Sequence, residues 1–297
     1  MTSSPHPSRL RQILLSDDEP RLRAGWRLML HSLLVLLLAF SLSWILLLIP
    51  PDALSLATLD VLVFTCATWI ARRFLDKRTF LSLGFTFDRH TLSDLAVGFF
   101  LPVLMFSLIY GIETAMGWLH FDSFAWATAD LELVVLQTIG LFILFIAVGY
   151  SEELLSRGYH LQNLIEGINL SWALFLSSFI FGVLHITNPN ATWVSVVGIT
   201  VSGYFLAYGW IRTKKLWLSI GLHIGWNFFE GPVFGFPVSG MQSFSLLQHT
   251  VDGPILITGG EFGPEAGLVL LPAMLLGAFL IRMYTSNRVK PTTATER

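Results

Sequence analysis

Charge is what the chain has least of: 13% of its 297 residues are Asp, Glu, Lys or Arg, about half the share of an ordinary soluble domain. With 54% hydrophobic residues, a globule of this size has more apolar surface than one core can hide, so lipid is the expected solvent. The single cysteine, Cys66, excludes an internal disulfide and any cysteine-built metal cluster; it reads as a small buried hydrophobe inside a span. No basic patch stands out and the net charge is −2, which argues against a nucleic-acid partner. HExxH is missing, so no zinc site is written locally. A cleavable signal is not expected either: residues 1–25 are polar, with Pro5, Pro7, Asp17, Asp18 and Glu19, and the apolar run after them is too long for an h-region.

Apolar runs near span length are present at roughly 26–49, 53–71, 93–118, 131–151, 171–187, 192–211, 216–230 and 264–282. The expected fold is all-α: a polytopic membrane protein of about eight transmembrane helices. Lysine and arginine mark cytoplasmic segments. With the N-terminus inside, all 18 basic residues fall on or near the cytoplasmic side, and 50–53, 119–130, 187–191 and 231–263 hold none. Both termini are therefore expected in the cytoplasm and the protein in the cell membrane, multi-pass, with lipid as a partner. Trp26, Trp69, Trp118, Trp126, Trp172, Trp193, Trp210 and Trp217 lie near span ends, where amphipathic rings anchor at the headgroups. With no internal repeat and no long linker, the chain reads as a cytoplasmic segment (1–25), one transmembrane domain (26–284) with its chemistry at about 130–230, and a cytoplasmic tail (285–297). The 231–263 loop is broken by Gly and Pro yet apolar; it is expected to lie against the bilayer or fold over a cavity.

Ionisable groups within a span are expensive and mark function. Glu152, Glu153 and Arg157 form one such cluster. Glu153 and Arg157 share a helix face at i, i+4 with the acid N-terminal, the better order, so they read as a structural pair that leaves Glu152 free to react. "FGVLH" (Phe181–His185) and "HIGWN" (His223–Asn227) are the second and third. His31, His160 and Glu113 have no such companions and read as structural or interfacial. Burial raises a carboxyl pKa, which suits a general base acting on water; imidazole can share that task, and His or Asn can donate to an oxyanion. The set is an amide-hydrolysis kit without a serine or cysteine nucleophile.

"EELLSR", "FGVLH" and "HIGWN", in this order, resemble the EExxxR, FxxxH and HxxxN motifs of the CPBP family, the Abi or CAAX-protease-like intramembrane endopeptidases that include the type II CAAX prenyl endopeptidases. The resemblance covers roughly residues 130–230 and departs nowhere within the motifs. It implies a peptide hydrolase in which Glu152 and His185 activate water, His223 and Asn227 form the oxyanion site, and Glu153 and Arg157 hold the first motif in shape. It also implies a peptide or protein substrate at the membrane, prenylated or not. The resemblance leaves two alternatives for a cofactor: a metal-independent glutamate mechanism, or a divalent metal such as zinc with Glu152, His185 and His223 as its candidate ligands.

Straight helices at 1.5 Å per residue put Glu152 and His185 at opposite ends of their spans. The fourth helix is therefore expected to continue to about residue 165, with a cavity opening toward the cytoplasm. Two other classes compete with the hydrolase: a catalytically silent scaffold or immunity protein with the same fold, and a proton-linked transporter using the buried groups as a relay.

Overall fold

The computed structural model describes residues 13–16, 19–48 and 52–288; much of the expected N-terminal segment 1–25 and of the tail 285–297 lies outside them. The described residues fold into eight principal helices and one two-stranded sheet. α1 is Ala24–Ser43, extended by the 3-10 turn Trp44–Leu47, and α2 is Ala53–Phe74. α3 is Thr91–Ala115, α4 Leu131–Gly167, α5 Leu170–Leu184 and α6 Trp193–Thr213. α7 is Trp217–Phe228, continued by a π turn Phe229–Val233, and α8 is Leu270–Tyr284. Leu119–Phe124 (β1) and Leu247–Val251 (β2) pair antiparallel, so the regions expected as plain loops close on each other as a ribbon.

Among the described residues six helices, α1 to α6 with their end turns, are long and apolar enough to cross a membrane. The protein is an all-α, integral, multi-pass membrane protein with one small sheet. α7 and α8 are shorter than the roughly 20 residues a span needs. The last run starts at Leu270 rather than 264, because Gly263 takes φ 98° and Pro264–Ala266 form a separate 3-10 turn. Cys66 is exposed on α2 rather than buried.

Capping fixes helix starts where the chain leaves loops. Asp52 and Ser55 form a capping box on α2, and Thr192 and Ser195 form one on α6. One end of the bundle carries the arginines. Arg27 reaches Asp76 (2.8 Å) and Glu166 (2.7 Å), Arg72 also reaches Asp76 (2.9 Å), and Arg78 reaches Glu166 (2.6 Å). These pairs tie α1, α2 and the far end of α4 together.

α7 is the central rod. It packs on α3, α4 and α6, and every residue from Leu218 to Asn227 is buried. The approach to α3 is backbone to backbone: a Cβ on Gly221 would stand 2.3 Å from the Leu95 carbonyl oxygen, and one on Gly225 2.1 Å from that of Phe99. Small residues one turn apart permit this close packing where lipid offers no hydrophobic drive.

Candidate functional site

α4 runs unbroken for 37 residues, well past the apolar run that ends near residue 151. Its middle is a π segment, Leu154–His160, the widened turn that frequently marks functional positions in helices. The extension resolves the depth mismatch. Glu152 lies fifteen residues before Gly167 and His185 fifteen after Leu170, so both stand about 22 Å from the tight α4–α5 connection at 1.5 Å per residue.

The predicted residues divide between a buried pair and an open face. Glu153 and Arg157 are fully buried and joined at 2.7 Å. Arg157 also donates to the Gly203 carbonyl on α6 (3.0 Å) and stacks 4.4 Å from the Phe181 ring centroid. The same Glu153 oxygen that takes Arg157 accepts from His223 Nδ1 at 2.9 Å, so the carboxylate joins the first motif to the third as well as bracing its own helix. Glu152 faces the other way, toward a cavity of about 490 Å³. Its Oε2 stands 3.7 Å from His223 Nε2 and 4.0 Å from His185 Nε2 and has no hydrogen-bond partner.

The two imidazoles differ in what holds their other nitrogen. His185 Nδ1 donates to the Phe181 carbonyl (2.7 Å), whereas His223 Nδ1 meets the Glu153 carboxylate. An Nδ1–H fixed by an acceptor leaves Nε2 to face the cavity. Asn227, one turn beyond His223, lines the same cavity and is 6% exposed. α2, α4, α5, α6 and α7 all contribute to the wall.

Two donors on one zinc at 2.0–2.2 Å stand roughly 3.4 Å apart; Glu152 stands 3.7 Å from His223 and 4.0 Å from His185, and among the described residues no group of three or more His, Cys, Asp or Glu side chains is gathered as a closed ion site.

Two cavity-lining carboxylates were not anticipated. Asp60 on α2 makes no hydrogen bond or ion pair with another described residue and lies in the field of Glu152. Glu265, 4% exposed, accepts from Trp226 Nε1 (3.0 Å), Ser239 N (2.8 Å) and Ser239 Oγ (2.6 Å). An acid inside an otherwise apolar run was the available signal for Asp60. Nothing local marks Glu265, which comes from a turn read as part of the last span.

The cavity opens away from the arginines. It is lined by Ala53, Leu56 and Asp60 at the start of α2 and by Asn188, Ser239 and Met241 in connecting loops, while Arg72 and Arg73 close the other end of α2.

The family model described as type II CAAX prenyl endopeptidase Rce1-like matches residues 134–229, roughly a third of the chain. No curated protein and no solved structure matches significantly. All three motifs fall within the matched segment and meet at one cavity; the match over 134–229 supports a CAAX protease, or CPBP, family assignment for that segment.

Proposed function

We propose that the protein hydrolyses a peptide bond of a membrane-associated substrate with water activated by Glu152 and His185. The observation that carries this reading is the meeting of one unpartnered carboxylate oxygen with two imidazole Nε2 atoms in a largely apolar cavity. With Nδ1–H given to the Phe181 carbonyl, His185 presents a lone pair at Nε2 and acts as acceptor. His223 can donate from Nε2 only when both its nitrogens carry protons, and Glu153 supplies the countercharge for that state.

In the reaction, Glu152 takes one proton from water as the water oxygen forms a bond to the carbonyl carbon. The carbonyl electron pair moves onto oxygen, which faces His223 and the Asn227 amide. Collapse breaks the C–N bond, and the proton taken up by Glu152 passes to the leaving nitrogen, while His185 accepts a hydrogen bond from the water through Nε2. One water hydrogen ends on the amine and the other on the carboxylic acid. Replacing Glu152 by Gln keeps the shape and removes the base; hydrolysis is expected to fall by about 10²–10⁴-fold with the unfolding temperature unchanged. Full activity in purified Glu152→Gln protein would overturn the assignment.

With α7 and α8 counted as short spans, the chain crosses eight times, both termini are cytoplasmic, and the cavity faces the outer leaflet of the cell membrane. The basic residues gathered at the opposite end support that orientation. A peptide or membrane-protein segment on the outer side is then the natural substrate, since a cytosolic prenylated tail would have to cross the bilayer to reach Glu152.

A further inference from the structure

A second cavity of about 900 Å³ lies at the arginine-free end. The loop segment 236–242 lines both spaces: Val238, Ser239 and Met241 face the first cavity, and Phe236, Pro237 and Gln242 face the second. The β1–β2 ribbon and the segment after it complete this chamber, which is separated from the first cavity by that loop segment.

Glu113 lines the chamber from the last turn of α3. It is 0% exposed, and neither carboxylate oxygen has a hydrogen-bond partner. A helix C-terminus is the unfavourable end for an acid, and burying an unpaired carboxylate costs more, so helix stability does not account for it. Asp252 and Glu261 line the same space, and no lysine or arginine does. His249 packs edge-on to Tyr110, one turn before Glu113, and against Phe236. Its Nδ1 is also buried without a partner; burial pushes this imidazole below its ordinary pKa, so it adds no positive charge.

The geometry points to a guanidinium subsite: the chamber receives an arginine side chain of a peptide, and a side-chain rotation that brings the water-inaccessible oxygens of Glu113 to the chamber wall lets them take its paired N–H donors. Two parallel acceptors match guanidinium better than ammonium, and the volume suits several residues of a chain rather than a lone cation. The identity of the occupant as substrate rests on the hydrolase reading; the cation preference does not.

The test uses full-length protein carrying Glu152→Gln, so that nothing is turned over, in lipid nanodiscs with calorimetric titration. The probes are acetyl-Ala-Arg-Ala-amide, the same peptide with neutral citrulline in place of arginine, and free arginine amide. The arginine peptide is expected to bind at least tenfold more tightly than the citrulline peptide, and Glu113→Gln to remove at least tenfold of that affinity. Equal binding of arginine and citrulline peptides, or unchanged binding in Glu113→Gln, would overturn the subsite. Arginine amide binding as tightly as the peptide would overturn the peptide assignment. Should Glu113→Gln fail to fold, Asp252→Asn and Glu261→Gln at the exposed rim are each expected to weaken the arginine peptide two- to fivefold, and no change in either overturns the proposal. Because binding is read without cleavage, a wild-type protein that cuts nothing would sink the hydrolase reading and leave this result standing.

Discussion

Two histidines that look alike in the sequence are set apart by the atom each Nδ1 touches, a backbone carbonyl for His185 and a carboxylate for His223. In the proposed reaction that difference separates acceptor from donor, and Glu153 contacts both Arg157 and His223. Arg157 tests the structural side. Replacing it by Leu strands the buried Glu153 charge, and a loss of about 3–5 kcal/mol is expected, read from unfolding in detergent; a loss under about 1 kcal/mol would show that Glu153 does not depend on it. The Glu153–Arg157 bond was legible from i, i+4 spacing, and the freedom of Glu152 followed from it. The His223–Glu153 contact was not legible, since it joins positions 70 residues apart on helices whose relative rotation the sequence does not encode.

Among the elements, α7 carries most of the consequence, because its glycines seat the helix bearing His223 and Asn227 directly against α3. Gly221→Ala or Gly225→Ala would force a Cβ to within 2.3 or 2.1 Å of an α3 carbonyl oxygen, so the helix must move. Overpacking of this kind costs about 1–3 kcal/mol, and activity is expected to fall more than stability does, measured as kcat and unfolding midpoint on the same preparation. The GLHIG spacing was a visible sign of this contact, masked by the histidine motif overlapping it. The length of α4 was reachable only through chemistry: hydropathy stops near residue 151, and the need for Glu152 and His185 to meet is what extends the helix. β1 and β2 left no usable pattern, as LHFDSF and LQHTV are short and their burial does not alternate cleanly. A further element-level contact ties the segment before α3 to the α6–α7 turn: Lys215 bonds Asp88 at 2.6 Å and holds its carboxyl down to about 2 from the ordinary 3.8. A depressed carboxyl stabilises the fold above its unfolded pKa and loses that contribution as pH falls toward the folded one. Stability should thus decline between about pH 4 and pH 2 in a way that Asp88→Asn removes, seen in pH-dependent unfolding midpoints; identical profiles for the two proteins would discount the contact.

For the whole molecule, composition alone fixed the solvent and the basic residues divided the two ends, while span count was less accessible because α7 and α8 fall below the usual length. The proposed orientation can be checked with cysteines at exposed sites in a Cys66→Ala background. Asp252→Cys, beside the second cavity, should react with a membrane-impermeant thiol reagent in intact cells, and Thr79→Cys, near the arginine network, only after permeabilisation; the reverse pattern would turn the molecule over. The hairpin of α4 and α5 carries a last implication. Glu152 and His185 are level because each stands the same number of residues from the turn at Ile168 and Asn169. Deleting one residue from a single arm would drop its reactive group by about 1.5 Å and swing it through about 100°, so a one-residue deletion in either arm should separate the pair and abolish hydrolysis.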